Sequence, residues 1–272
     1  MKNKVLILGT GTSTGVPVIG CHCEVCESDN PKNQRMRCSL LLHTGSGVKV
    51  LIDASTDLRT QALKNKVDKI DAVIFTHDHA DHTHGVDDLR PFCFGPPQKE
   101  IPTYTSTTCA ESLRSRFPYI FKQDEVFSKK KPILGGGIPR LKLVEVPEGV
   151  EVKIFGESFF FFLLPHGHTQ TLAVVHQKLA YLVDCKSIPD KVIDFLTNRG
   201  VELLIIDCLK PQAHQTHLSV NESFDYIEKI TPKRAGLIHM THDLEHTELS
   251  QLAEKRVGPG VFPLYDGQIL EY

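Results

Sequence analysis

The stretch Ala72-Val73-Ile74-Phe75-Thr76-His77-Asp78-His79-Ala80-Asp81-His82 decides how this chain reads. Its first four residues are apolar and predict a buried strand. Within the next residues, three His and an Asp (His77, His79, Asp81 and His82) fall in six positions. Loops just past a strand's C-terminal end are where mixed α/β folds carry chemistry. Imidazole and carboxylate together suit Zn²⁺, Mn²⁺ or Fe. Histidines two apart do not share a helix face, so His77 and His79 meet one metal only if the backbone turns. Asp81 and His82 would then serve a second. The plain alternative is a polar loop with exposed histidines.

The chain around this stretch has 272 residues, enough for a sizeable core and for one large domain, expected over 1–272. Apolar residues make up 40 % and charged residues 24 %, ordinary usage for a soluble protein. A net charge of -2 argues against holding nucleic acid by bulk charge. The 14 His are the unusual figure. Eight Cys in a chain of this length do not suggest a disulfide framework. The first apolar run is too short for a signal peptide, and no stretch approaches a membrane span. A cytoplasmic protein with reduced thiols is the expectation.

Further out, apolar runs predict strands at 5–8, 40–43, 48–52, 141–146, 150–155, 159–164, 172–175, 180–183, 203–206 and 235–239. Gly45-Ser46-Gly47 joins two of them as a hairpin, and Pro147-Glu148-Gly149 reads as another tight turn. Helices are expected at 56–64, 107–117, 189–198, 220–230 and 244–255. Hairpins mixed with strand–helix units imply two sheets covered by outer helices. The segment 122–140, with Lys129-Lys130-Lys131 and Gly135-Gly136-Gly137, reads as a solvated loop or as a basic flap over an anionic substrate.

A second cluster is Cys21-His22-Cys23-Glu24-Val25-Cys26. In a reducing compartment this spacing reads as zinc ligation before disulfide, with buried small residues as the alternative. Three thiolates leave one position to fill. Gly9, Gly11 and Gly15 precede the cluster, but there is no Gly-Lys-Ser/Thr and no dinucleotide fingerprint, so they read as turn glycines lining the site.

The His-x-His-x-Asp-His run resembles the metallo-β-lactamase superfamily, and further matches extend over nearly the whole chain. They are Asp53 after the strand at 48–52, His166 in Leu-Pro-His-Gly, Asp184 in Tyr-Leu-Val-Asp and His239 in Leu-Ile-His. The resemblance implies an α/β fold, the αββα four-layer sandwich of two packed mixed sheets with outer helices. It implies His77, His79 and His166 on one divalent metal, Asp81, His82 and His239 on another, and Asp184 bridging. Asp53 would support the ligand loop without being a ligand. The Cys-x-Cys-x-x-Cys feature is similar to that of a branch including the phosphoribosyl 1,2-cyclic phosphate phosphodiesterases (PhnP-like) and related to ribonuclease Z. There the resemblance implies a structural zinc on Cys21, Cys23, Cys26 and His242. It also implies a His acting on the leaving group, with His217 matching by position and His214 competing.

Taken with the residues, the resemblance implies a phosphodiesterase with two zinc or manganese ions in its active site, acting on a small phosphodiester, a cyclic one before others. Asp81 and His217 are the expected catalytic residues. Arg90 is a candidate for the substrate's phosphate, or equally a surface ion pair. The resemblance also suggests a homodimer. The rival readings are an RNA-processing nuclease of the ribonuclease Z type, a non-hydrolytic oxidase or carrier like pyrroloquinoline quinone biosynthesis protein B, and a β-lactamase, glyoxalase or lactonase. The last group lacks the cysteine site.

Overall fold

Alternate residues of each apolar run face opposite ways, and here both faces are covered. In the first strand, β1 (Lys4–Gly9), Val5 and Ile7 turn inward between two sheets, while Leu6 and Leu8 turn outward beneath helices. The computed structural model describes residues 2–128, 130–132 and 137–272. In it β1 is followed by β2 (Ser39–His43), β3 (Lys49–Ile52), β4 (Ala72–Ile74), β5 (Ile101–Thr105) and β6 (Leu141–Glu145). The chain then builds a second sheet from β7 (Val152–Ile154), β8 (Glu157–His166), β9 (Thr169–His176), β10 (Leu179–Leu182), β11 (Leu203–Asp207), β12 (Arg234–Ile238) and β13 (Val261–Pro263). The last strand, β14 (Ile269–Glu271), returns to the first sheet beside β1. The orders are β14-β1-β2-β3-β4-β5-β6 and β13-β12-β11-β10-β9-β8-β7.

The two sheets pack face to face through Ile7, Leu40, Ile52 and Ile74 on one side and Phe159, Phe161, Val174 and Ile205 on the other. Outside the first sheet lie the helices Leu58–Lys64 and Thr107–Arg116, joined to it through Leu58, Leu113, Leu51 and Phe75. Outside the second lie Asp190–Arg199, Val220–Ile230 and His246–Arg256, meeting it through Leu196, Phe224, Leu249, Ile206 and Leu237. Each such buried side chain contributes about 1.5–3 kcal/mol by leaving water. The result is the expected four-layer α/β sandwich of two mixed sheets.

Two expectations are corrected. Pro147-Glu148-Gly149 does not close a hairpin: β6 pairs in parallel with β5 and β7 pairs with β8, so this turn carries the chain from one sheet to the other. Strands β5, β13 and β14 also lie where no strand is expected from the sequence. The segment expected as a flap includes a single helical turn, Gln123–Val126. Lys129 and residues 133–136 of that segment lie outside the described residues.

What positions the site is strand direction. β3 and β4 run parallel to one another, as do β10, β11 and β12. Their C-terminal ends deliver Asp53, the His77 loop, Asp184, Asp207 and His239.

Candidate metal centre

Three of these residues leave their strands in the left-handed region: Asp53 (φ 63°), Asp184 (φ 53°) and His239 (φ 65°). That conformation crowds Cβ against the backbone and is uncommon outside glycine. It persists here because each side chain is buried and held in place. After Thr76 the loop turns at His79 into one helical turn, Ala80–Thr83, which brings the His77 and His79 rings to 4.6 Å. Asp78 points elsewhere, accepting from Ser112 Oγ at 2.6 Å and Arg116 at 3.1 Å, and so ties the loop to the helix Thr107–Arg116.

The structure gathers the candidates into two groups that share one residue. His77, His79, His166 and Asp184 form the first; Asp81, His82, Asp184 and His239 form the second, with ligand atoms of each group within 4.8 Å of one another. These are the sets that the resemblance implies. Asp184 Oδ2 lies 3.5 Å from His77 Nε2 and 3.3 Å from His82 Nε2, while its Oδ1 lies 3.2 Å from His239 Nε2. Yet His77 Nε2, His82 Nε2, His239 Nε2 and Asp184 Oδ1 are buried without a hydrogen-bond partner among the described residues. Each such orphan costs about 1–3 kcal/mol. Atoms left bare toward a common centre suit a metal ion, so the donor set fits one.

Carboxylates behind the histidines set their tautomers. Asp53 is fully buried; its Oδ2 accepts from His82 Nδ1 and from Thr76 Oγ1, both at 2.8 Å, and its Oδ1 from Thr76 N at 2.8 Å. The Thr76 hydroxyl in turn meets His77 Nδ1 at 3.0 Å. One carboxylate therefore orients a histidine in each group and leaves Nε2 of both facing inward. His166 Nδ1 donates to Thr216 O at 3.0 Å. Burial holds His77 well below the ordinary imidazole value, so it stays neutral and able to bind metal. Burial also opposes charge on His82, but Asp184 and Asp53 outweigh it and push that imidazole well above its usual value.

Asp207 is a neighbour to which the sequence reading assigns no role. It is fully buried, its Oδ2 accepts from His217 Nδ1 at 3.0 Å and Cys185 N at 3.1 Å, and its Oδ1 lies 3.5 Å from His239 Nδ1. A signal for it exists: like Asp53, it ends an apolar strand. His217 stacks on His239 at 4.8 Å. Burial opposes its charge, but Asp207 more than compensates and raises its pKa. Among the described residues His214 bonds within its own loop, to Thr216, and it is not among those that line the cleft. That cleft, about 750 Å³, is lined by Ser13, His79, Asp81, His166, His168 and His217 together with neighbouring residues, and among the described residues no Lys or Arg lines it.

Arg90 is not there. It lies on the 3₁₀ helix Val86–Cys93, donates to Gly137 O at 3.3 Å and lines a different cleft with Arg59 and Leu63. Gly15 is a turn glycine as expected, with φ 64°, while the reading of Gly9 and Gly11 is corrected. A Cβ on Gly9 would sit 2.0 Å from Arg37 O, and one on Gly11 would sit 2.8 Å from Arg35 O. They are small because backbone passes close by, and neither lines the cleft. His84 is exposed and packs on Phe117.

At the second cluster, Cys21, Cys23 and Cys26 Sγ lie 3.2, 3.5 and 3.5 Å from His242 Nδ1. Tetrahedral zinc with bonds of about 2.3 Å to sulfur and about 2.0 Å to nitrogen separates such ligands by about 3.5 Å. The donor set fits zinc and leaves no position open. The remaining thiols, Cys38, Cys93, Cys109, Cys185 and Cys208, are buried.

Comparison with known proteins adds the relatives. Residues 48–240 match the β-lactamase superfamily domain. The crystal structure of a diphosphatase from the PhnP family is 34 % identical, covers 100 % of this chain and 98 % of its own, and superposes with a TM-score of 0.87. Zn²⁺-bound PqqB from Methylobacterium extorquens (18 % identity, 99 % and 100 % covered, TM-score 0.77) and the short form of human tRNase Z (16 %, 98 % of each, 0.67) share the fold. A protein of Porphyromonas gingivalis named octanoyltransferase is 35 % identical over 97 % of this chain and 50 % of its own length. The chain spans about half the length of the curated relatives it matches. No helix among the described residues is long and apolar enough to cross a membrane. Strand order, site geometry and these matches agree: the chain belongs to the β-lactamase superfamily and, within it, to the PhnP family.

Proposed function

We propose that the protein is a metal-dependent phosphodiesterase that hydrolyses a small, cyclic phosphodiester at a dinuclear centre. The observation that carries this is the pair of ligand groups sharing Asp184, with bare nitrogens and oxygen converging beside a cleft. His77, His79 and His166 would hold one ion, Asp81, His82 and His239 the other, and Asp184 both; zinc and manganese each suit this set. Two such ions, when bound, polarise the phosphate's non-bridging oxygens and make a hydroxide nucleophile available near neutral pH.

The chain's own residues do the rest. Asp53 and Asp207 fix which nitrogen each backed histidine presents. With Nδ1–H of His217 donated to Asp207, which favours the charged imidazole, the second proton sits on Nε2 and is the one that the departing oxygen takes. Asp81, on the same cleft, orients the attacking water. The absence of Lys and Arg among the described lining residues favours a small substrate over a polyanion such as RNA. Cys21, Cys23, Cys26 and His242 hold a closed, structural zinc that joins two distant loops. The protein would act as a single domain and, by family likeness, as a homodimer in the cytoplasm.

Similarity to a diphosphatase supports a second reading in which the bond broken is a phosphoanhydride. Metal-loaded protein is therefore assayed against bis(p-nitrophenyl) phosphate, five-membered cyclic phosphates and nucleoside diphosphates. The diesters should turn over, and Asp184→Ala should reduce activity to background. Turnover of diphosphates alone would establish the second reading, and no turnover with full metal content would refute both.

A further inference from the structure

We propose that Arg35 is a positioning residue for the catalytic centre, acting by locking the short segment that runs from one metal group to the other. The inference rests on the ligand assignment above and goes beyond it. His239 belongs to the Asp184 groups and His242, three residues on, to the cysteine cluster. Met240 N donates to Thr10 O at 3.0 Å and Thr241 N to Leu209 O at 2.9 Å. Thr12 N donates to Met240 O at 3.3 Å, and Arg35 adds a hold from its side chain. Its side chain is 1 % exposed, with Nη1 donating to Thr241 O at 2.7 Å and Nη2 to Leu244 O at 2.5 Å and Asn33 Oδ1 at 3.2 Å. The two carbonyls bracket His242.

The same residue grips the other half of the cysteine site. Arg35 N donates to Val16 O at 2.7 Å and Val16 N to Arg35 O at 2.9 Å, fixing the chain just before Cys21. Its position is crowded from behind by Gly11, which also bridges to Met240. One side chain and its backbone therefore hold both loops that meet at the cysteines, and the strand end that carries His239.

A buried guanidinium is costly unless its charge is met. Among the described residues none of Arg35's hydrogen bonds reaches a carboxylate, and its Nε has no partner. The charges that favour the cation are those of Asp266 and Glu245 first, with Cys208 and Cys26 after them. Arg35 thus supplies a planar fork for two carbonyls, with its charge met by carboxylates that it does not touch. Lysine would keep the charge and lose the fork.

The test titrates Co²⁺ into metal-free protein, reading thiolate charge-transfer bands for the cysteine site and d–d bands for the histidine site. In Arg35→Lys and Arg35→Met both sites should weaken, by about tenfold or more at each, the scale seen when a ligand's support is lost. Leu196→Ala, a core change on an outer helix of the second sheet, should lower Tm without weakening either. Should the Arg35 variants fail to fold, the wild type decides: emptying the cysteine site with p-hydroxymercuribenzoate should lower Co²⁺ affinity at the histidine site. An unchanged histidine site in Arg35→Lys, a loss matched by Leu196→Ala, or an unchanged histidine site after mercurial treatment overturns the proposal. No substrate enters these titrations, so failure to find phosphodiesterase turnover would refute the functional reading and leave this one standing.

Discussion

The two metal groups come within three residues of each other along the chain, at His239 and His242, and are built differently. The histidine–carboxylate groups take side chains from the end of β8 and from the segments after β4, β10 and β12, so the sandwich must be assembled before they meet. The cysteine group takes three ligands from one loop and one from another. In the first, carboxylates stand behind the histidines and a cleft opens beside them. In the second, four ligands close on one another, Val18 N donates to Cys26 Sγ at 3.3 Å, and the guanidinium of Arg35 holds the carbonyls on either side of His242. The difference separates a site that keeps room for a reactant from one that commits all its donors to the ion.

Substitutions sharpen that contrast, and the largest effect is expected where a reactant is touched. His217→Ala should lower kcat by about 10²- to 10⁴-fold at unchanged metal content, the range of general acid catalysis. The loss should be greater for an alkyl leaving group than for p-nitrophenolate, which needs no proton. Equal losses for both leaving groups would remove His217 from that role.

Asp53→Asn comes next. An amide offers one acceptor oxygen where the carboxylate serves His82, the Thr76 hydroxyl and the Thr76 amide. Metal affinity at the histidine site should fall about 10- to 100-fold, measured by chelator competition, with kcat recovering at saturating metal. Cys23→Ser should do least to chemistry and most to folding. It should lose the structural ion and lower Tm, while kcat per folded molecule at saturating active-site metal stays within about threefold of wild type. A loss of kcat with Tm intact would make the cysteine group part of the reaction.

Much of this arrangement is legible in the sequence because each site residue follows an apolar run. Ile52-Asp53, Val183-Asp184 and Ile238-His239 mark strand ends directly. Other parts are not local in their cause. β5 carries Pro102, which argues against a strand, yet it is held between β4 and β6. β13 and β14 have three residues each, too few to show alternation. The turn at Pro147-Gly149 has hairpin composition whether it joins strands of one sheet or of two. Asp207 has partners 10 and 32 positions later, so nothing beside it in sequence shows that it serves both His217 and His239. Arg35 is harder still, because arginine is rarely buried and its partners are backbone carbonyls more than 200 positions away.

The left-handed backbone at Asp53, Asp184 and His239 bears on how this protein responds to selection. Each position holds a conformation that glycine adopts most easily, although Asp and His enter it more readily than most residues. A library screened for heat resistance alone would be free to replace these side chains, and with them the chemistry. The same three positions would be the last to change in a library screened for turnover, so heat and turnover would pull apart at these sites first.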